Sequence, residues 1–340
     1  MRKIILFLMI FTLAFWFCGC GKKGVDSREV LKVYNFTDYI DRTTIADFEK
    51  EFNIKVIYDE FESNEDMYEK IVSKPNAYDI AVPSDYMIDR LIQEDRLAKL
   101  DLGKIPNISH VAPEYRGPVY DKNNDYMIPY MTGTLGILYN KKFADGAIDS
   151  WTSLFDRRYR GRILMWDSQR DVIGLVLKML GYSMNSNNDR ELSDVRAALT
   201  AQRTMVQYGG DEIRDLMIAD EGTLAFVYSG DAKTAIDQNP RLAYVIPAEG
   251  SSKWVDGFVI LKNTKQADAA HKFINFMCRP NIAVRNMTKI GYTSPISGAW
   301  AEFGDNTIMF PTAEELERCE PFLYNKEATQ KYARLWAEIR

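Results

Sequence analysis

Four stretches of the sequence place aromatic rings beside acids, each at one end of a predicted apolar strand. They lie at 33–40, 166–171, 228–231 and 254–256. An aromatic face attracts a cation and also accepts methylene groups, and a carboxylate supplies the counter-charge. One acid after a strand is ordinary, because acids favour turns. Four such places predict a binding site for a ligand that is cationic and partly apolar.

The elements that position these groups alternate between short apolar strands and amphipathic helices. Predicted strands are 30–34, 54–58, 78–82, 134–140, 163–166, 224–228, 243–246 and 254–261. Predicted helices are 43–52, 64–72, 85–93, one from 151, 171–180, 193–207, 231–238, 266–277, 281–289 and 327–339. This alternation predicts an α/β fold of parallel βαβ units, in which ligand groups gather at the carboxyl ends of strands. Asp38, Tyr39, Ser84, Asp85 and Tyr86 fall at such ends.

The amino-terminal residues have the pattern of an export signal. Two basic residues precede the apolar run 4–17, which is followed by Cys18-Gly19-Cys20-Gly21. A run of about 14 residues is too short for a permanent span, which needs about 20. We predict a lipoprotein signal at 1–20, a lipidated Cys20 and a tether at 21–28, with the body at the periplasm or outer cell surface, anchored to the membrane. An uncleaved anchor helix is the alternative, and it also places the body outside the cytoplasm.

Charge and cysteine content narrow the possible partners. Removing the two bases of the leader takes the formal charge from −5 to −7, which disfavours nucleic acid and favours cationic ligands. Cys278 and Cys319 then remain, so at most one disulfide can form. His110 and His271 lack metal-ligand spacing, and we expect structural or solvent roles for them, with no metal site and no cofactor.

No enzyme motif is found. The sequence contains no Gly-x-Ser-x-Gly, no His-Glu-x-x-His and no glycine-rich phosphate loop. Paired carboxylates could suit a glycosidase, but acids beside aromatics at several strand ends are better explained by binding. We therefore expect a binding protein and not an enzyme, with an exported hydrolase as the weaker alternative.

Six motifs, in order along the chain, resemble the spermidine/putrescine-binding proteins of bacterial polyamine ABC importers. They are Tyr-Asn-Phe-Thr-Asp-Tyr at 34–39, Glu-Ser-Asn-Glu-Asp-Met-Tyr at 62–68, Tyr-Asp-Ile-Ala-Val-Pro-Ser at 78–84, Ile-Pro-Tyr at 128–130, Trp-Val-Asp at 254–256 and Ile-Gly-Tyr-Thr-Ser-Pro at 290–295. The resemblance implies a two-lobed, type II periplasmic binding protein fold. Lobe 1 would be 29–131 plus 254–298 and lobe 2 would be 134–253 plus 299–340, with hinge crossings near 132–133, 250–253 and 297–301.

The resemblance also implies a set of ligand contacts. The aromatic contacts are Phe36, Tyr39, Tyr86, Tyr228, Trp254 and Tyr292, and the carboxylates are Asp38, Asp171 and Asp256. Thr37 and Ser84 match hydroxyl contacts, and Asp85 adjoins them. The implied function is capture of putrescine or spermidine between the lobes and delivery to a permease with its ATPase, by a receptor that we expect to be monomeric.

Departures from the family pattern bear on the ligand. Phe36 and Tyr228 stand where tryptophan is common. Ser168 replaces an aspartate of spermidine-type members, and Asp231 matches an acid of putrescine-type members, so we favour putrescine, unless Asp167 rotates in to restore the missing charge. A receptor of the same fold for another solute is the main alternative. An amino acid would call for an arginine in the site, and ferric ion for paired tyrosines with a histidine or acid.

Overall fold

The computed structural model describes residues 27–210, 212–304, 306 and 308–340. The predicted signal 1–20, its Cys20 and the tether through residue 26 lie outside the described residues. Within the described ranges, no helix is both long enough and apolar enough to cross a membrane.

In the described part of the chain, nine strands form one mixed sheet, which confirms the α/β class. In chain order they are β1 (Glu29–Phe36), β2 (Ile54–Phe61), β3 (Ile80–Ala81), β4 (Met127–Asn140), β5 (Ile163–Trp166), β6 (Val206–Gly209), β7 (Leu224–Tyr228), β8 (Leu242–Val245) and β9 (Lys253–Ile260). The spatial order is β2-β1-β3-β9-β4-β7-β5-β6, and β8 also pairs with β4. The β1, β2 and β3 pairings are parallel, as are those of β5 with β6 and β7. The predicted parallel units are therefore present at both ends of the sheet.

Strand β4 joins these two ends. Its first part pairs antiparallel with β9, and its last part pairs antiparallel with β7 and β8. The sequence placed its start at residue 134, whereas the strand begins at Met127. The register shifts between Pro129 and Met131, and a proline cannot donate to a sheet ladder, so the strand pattern is broken at that point in the sequence.

The helices cover the sheet on its two faces. They are α1 (Arg42–Phe52), α2 (Asn64–Ser73), α3 (Asp85–Gln93), α4 (Gln169–Met179), α5 (Asp189–Gln202), α6 (Glu212–Ile218), α7 (Ser229–Gln238), α8 (Ala267–Met277), α9 (Pro280–Ile290), α10 (Ala313–Glu317) and α11 (Lys326–Ile339). The helix predicted at 193–207 was wrong at its end, because α5 stops at Gln202 and β6 follows, held by pairing with β5. The helix predicted from residue 151 is a five-residue 3-10 turn, Trp151–Phe155.

Among the described residues, the buried side chains form four clusters, two mainly on each side of the middle of β4, and the larger cluster on each side is called the first or the second core. The first core includes Leu31, Phe48, Ile80 and Phe258, and the second includes Trp151, Ile173, Leu199 and Phe226. Ala299 and Met309 lie in the segment that was predicted to belong to lobe 2, and both pack in the first core. The hydroxyl of Thr293 donates to the backbone oxygen of Met309 at 2.6 Å and ties the segment there.

Candidate functional site

A cavity of about 730 Å³ opens between the two cores and is lined from both. All the residues that the sequence predicted as ligand contacts line it: Phe36, Thr37, Asp38, Tyr39, Ser84, Asp85, Tyr86, Ser168, Asp171, Tyr228, Asp231, Trp254, Asp256 and Tyr292. They come from strand ends and helix starts that are far apart in sequence. The volume and the few convergent polar groups are typical of a small-molecule site.

Six aromatic rings form a continuous series along the cavity. In spatial order they are Phe36, Tyr39, Tyr292, Trp254, Tyr228 and Trp166. Neighbouring centroids lie 5.0 to 6.2 Å apart with steep interplanar angles, as edge-to-face packing prefers. Tyr228 and Trp166 end strands of the second half of the sheet, whereas Phe36 and Trp254 lie on strands of the first half. Tyr39 and Tyr292 pack with the first core from loops, so the aromatic series crosses from one core to the other.

Two tyrosines hold two of the carboxylates in place. The Tyr39 hydroxyl donates to Oδ2 of Asp256 at 2.7 Å, and the Tyr228 hydroxyl donates to Oδ2 of Asp171 at the same distance. Burial, and then the charge of the neighbouring carboxylate, raises the pKa of both tyrosines well above the usual range. Both phenols therefore remain neutral donors, and each carboxylate keeps a fixed orientation toward the cavity.

Asp256 lies on β9 and is 5% exposed. Its Oδ1 has no hydrogen-bond partner among the described residues. Burial raises the pKa of Asp256 to about 6, opposed by the nearby hydroxyls of Ser84 and Tyr39. A buried carboxylate with an unused oxygen is costly unless a cation or a proton joins it.

Asp85 is a second buried carboxyl on the same side of the cavity, and it is 2% exposed. The backbone N–H of Tyr86 donates to its Oδ1 at 2.7 Å, whereas its Oδ2 has no partner in the described part of the chain. Burial raises the pKa of Asp85 well above its ordinary value, and the charge of Asp256 raises it further. Asp85 begins α3, and three residues separate it from the end of β3, so the search for acids at strand ends included it.

Ser84 connects these acids to the neighbouring helix α2. The side-chain amide of Asn64 donates to the Ser84 hydroxyl at 3.0 Å, and the Ser84 N–H donates back to the Asn64 oxygen at 3.1 Å. Ser84 also forms an isolated antiparallel bridge with Asp256. The starts of α2 and α3 are thus held against β9.

Arg170 also lines the cavity, although the sequence placed no arginine in the site. Its guanidinium carbon lies 3.3 Å from the centre of the Tyr86 ring, and its Nη2 lies 3.2 Å from Oε1 of Glu65. Arg170 comes from the start of α4, whereas Tyr86 and Glu65 come from α3 and α2, so this contact spans the cleft. A basic residue in the first turn of a helix is unfavourable beside the positive end of the helix dipole. The position of Arg170 in that turn was the one feature of the sequence that could have indicated a role in the site.

The remaining predicted contacts are less enclosed. Thr37 and Asp38 are exposed at the rim, and the Asp38 backbone adopts a left-handed conformation with φ of 54°. The N–H of Asp38 donates to Oε1 of Glu60 at 3.2 Å, which stabilises this turn. These residues therefore lie at the mouth of the cavity.

Three polar residues that bear on ligand length have defined partners. The Ser168 hydroxyl caps α4 by accepting from the N–H of Asp171. Asp167, considered as a replacement for the missing acid, pairs instead with Arg340 at 2.7 Å. Asp231 lies 3.5 Å from Arg214 and accepts from the Tyr292 hydroxyl at 3.3 Å.

The lining is strongly acidic. Seven of its residues carry a carboxyl group and one carries a guanidinium, so the cavity favours a cation. Lining residues that the sequence did not predict are Glu62, Ser63, Asn64, Glu65, Trp166, Gln169, Arg170, Ser252, Ile290 and Phe322. Among the described residues, no three or more His, Cys, Asp and Glu side chains are grouped to hold a metal ion.

Three known proteins resemble the chain along almost its whole length. The spermidine/putrescine-binding periplasmic protein of Escherichia coli (strain K12) is 32% identical over 309 residues, covering 89% of each chain. A crystal structure of a spermidine/putrescine ABC transporter substrate-binding protein from Streptococcus pneumoniae has a TM-score of 0.83 at 36% identity, covering 92% of this chain and 98% of that one. The Tp0655 lipoprotein of Treponema pallidum has a TM-score of 0.83 at 27% identity, covering 92% and 99%.

The match to a family model agrees with these relatives. Residues 43–311 match the model for bacterial extracellular solute-binding proteins. This match covers most of the chain and includes most of both cores and most of the cavity lining. The chain therefore belongs to the bacterial extracellular solute-binding protein family.

Proposed function

We propose that this protein is the solute receptor of a polyamine ABC importer, which captures the ligand in the cavity and delivers it to a permease and its ATPase. The observation that carries the proposal is the combination of acidic groups and aromatic rings around one cavity between two cores. A polyamine is a methylene chain with an ammonium at each end. Carboxylates bind the ammonium groups, and ring faces accept both the charge and the methylenes.

The receptor would work by closure of two lobes. We infer that lobe 1 comprises residues up to 131 with 254–310, and that lobe 2 comprises 134–253 with 313–340. The crossings at Gly133 and at Ser251-Ser252 would serve as hinges. A ligand favours the closed state only through contacts that exist in that state and not in the open one. The Asp256 and Tyr39 pair on one lobe and the Asp171 and Tyr228 pair on the other would supply such contacts.

For the ligand we propose the diamine putrescine in preference to spermidine. Ser168 caps a helix and brings no charge. Asp167 pairs with Arg340, at an exposed position outside the cavity lining. A third ammonium therefore lacks a matching carboxylate at this end of the site. Asp231 remains as an acid of the putrescine pattern, with part of its charge balanced by Arg214.

Arg170 raises the alternative of a zwitterionic ligand such as an amino acid. Its guanidinium is already paired with Glu65 and stacked on Tyr86. A ligand carboxylate would have to replace that ion pair while surrounded by six other acids. We therefore place Arg170 as a bridge across the cleft and retain the cationic ligand.

The leader supports an extracytoplasmic location with a lipid anchor at Cys20. A similar chain from Treponema pallidum is described as a lipoprotein. We further propose that the receptor acts as a monomer and has no catalytic activity, because one cavity within one chain is sufficient for capture.

Isothermal titration calorimetry with putrescine, cadaverine, spermidine and spermine tests the proposal, and 4-aminobutyrate serves as the control. That control keeps the four-carbon chain of putrescine but carries a carboxylate at one end. We expect one putrescine per chain, weaker binding of spermidine and no binding of the control. Binding of 4-aminobutyrate without putrescine would refute the cationic ligand, and tighter binding of spermidine would refute the proposed preference.

A further inference from the structure

Asp85 and Asp256, two acids of the cavity lining, are alike in their burial and in their hydrogen bonding. Each is more than nine-tenths buried and each keeps one carboxyl oxygen with no hydrogen-bond partner. They lie close together, since Ser84, which precedes Asp85, forms a backbone bridge with Asp256. Both line the cavity.

A third polar group without a partner lies next to them. The Tyr120 hydroxyl is buried and has no hydrogen-bond partner among the described residues. Burial and the charges of Asp85 and Asp256 raise its pKa well above the usual range, so it stays neutral and cannot balance either acid. The titratable and charged groups of the described chain that act on the two acids from surrounding elements include Tyr39, Tyr86, Tyr120, Tyr130, Arg170 and Asp171.

Only one of these neighbours carries a positive charge. Arg170 acts on Asp85 more weakly than Asp256 does, and its own contacts are to Glu65 and Tyr86. Two adjacent carboxylates in a buried place cannot both remain ionised without a counter-charge. One proton shared by the pair satisfies this requirement while the cavity is empty.

We propose that Asp85 and Asp256 form one ammonium-binding seat, which holds a proton when empty and gives it up to solvent when a ligand ammonium enters. This inference rests on the proposed polyamine function. The charges balance, because two carboxyl groups with one proton carry one negative charge, and two carboxylates with one ammonium carry the same. No bond other than that to the exchanged proton is broken.

The exchange has a direct consequence for pH dependence. Because binding releases a proton, a higher proton concentration opposes it. The affinity should rise about tenfold per pH unit while the empty seat holds its proton, and level off at a pH where the seat is already ionised. A seat whose unused oxygens are instead bridged by a neutral water would release no proton.

Calorimetry of wild-type protein with putrescine tests the exchange when it is repeated at pH 7 in buffers of different ionisation enthalpy. The slope of apparent enthalpy against buffer enthalpy counts the protons released, and we expect a value approaching about one. Putrescine binding with zero release at every pH from about 5.5 to 8 would overturn the seat and leave the polyamine function standing. Absence of putrescine binding would instead overturn the function.

Two variants locate the proton. Asp85→Asn should bind putrescine with at least about tenfold lower affinity and with no proton release. Asp171→Asn is the matched control, because it removes a buried carboxylate on the opposite side of the cavity; its affinity should fall while its proton release persists. Circular dichroism checks that both variants fold, and the buffer series on wild-type protein decides the question even if one does not. Unchanged proton release by a folded Asp85→Asn variant would refute the assignment.

Discussion

Replacement of Asp256 by asparagine should make the empty protein more stable at alkaline pH while it weakens ligand binding. Burial raises the pKa of Asp256 from its ordinary 3.8 to about 6. Folding therefore favours the protonated Asp256 over the ionised one. The stability that wild type has while Asp256 is protonated is complete below about pH 4. It is lost as the pH rises through about 6. A carboxyl whose pKa lies about two units high is destabilised in its ionised form by about 3 kcal/mol.

Asparagine removes that penalty and keeps the main contact, because its side-chain oxygen still accepts from the Tyr39 hydroxyl. The free energies of unfolding of wild type and Asp256→Asn should be similar near pH 4. Near pH 8 the variant should be more stable by up to about 3 kcal/mol. Urea denaturation of the two chains at both pH values measures this difference.

Saturating putrescine should reduce this difference, because each tenfold loss of affinity in the variant lowers its stability relative to wild type by about 1.4 kcal/mol. The variant should bind at least about tenfold more weakly, because the ligand ammonium loses its buried counter-charge. Asp38→Asn is the control, because that acid lies exposed at the rim and its replacement should leave the difference in unfolding free energy near zero. If Asp256→Asn is no more stable than wild type at pH 8, the account of a strained, empty carboxyl is wrong.

Two further predictions concern the cleft. Gly230→Ala would bring a Cβ to within 2.3 Å of the Tyr292 ring, so the ring must shift. We expect a loss of about 1–3 kcal/mol in unfolding free energy together with weaker putrescine binding. Unchanged thermal melting and affinity would contradict the close packing. Arg170→Ala would free Glu65 and the Tyr86 ring for a third ammonium, so the ratio of spermidine to putrescine affinity should rise in competition titrations. A fall in that ratio would show that Arg170 does not occupy the end of the cavity where a third ammonium would bind.

The sequence identified residues that line the cavity better than it predicted the sheet. Asp38 and Asp85 follow apolar strands and Asp256 lies near the beginning of one, and that local signal persists whatever the strands pair with. The antiparallel placement of β4 and β9 has no local signal, because it depends on which strands meet in the middle of the sheet. Strand β6 was mistaken for the end of a helix for the same reason, since only its pairing with β5 makes it a strand.

Residues that act across the cleft were the hardest to predict. Arg170 and Glu65 are distant in sequence, and only the fold brings the guanidinium over Tyr86. Phe322 lines the cavity from the loop before α11, where the sequence offers no periodic pattern. The partner of Asp167 is the carboxy-terminal Arg340, and a contact between such distant positions could not be read from spacing.

The central claim is that the cavity binds both ammonium groups of a diamine, one at each end of its methylene chain. Calorimetric titration of the wild-type protein with putrescine and with monoacetylputrescine, which differs by the loss of one ammonium, tests it most directly. We predict one tightly bound putrescine per chain and an affinity for the acetylated form that is lower by at least about 100-fold, because a buried carboxylate is then left unpaired. Equal affinities for the two compounds would contradict the claim.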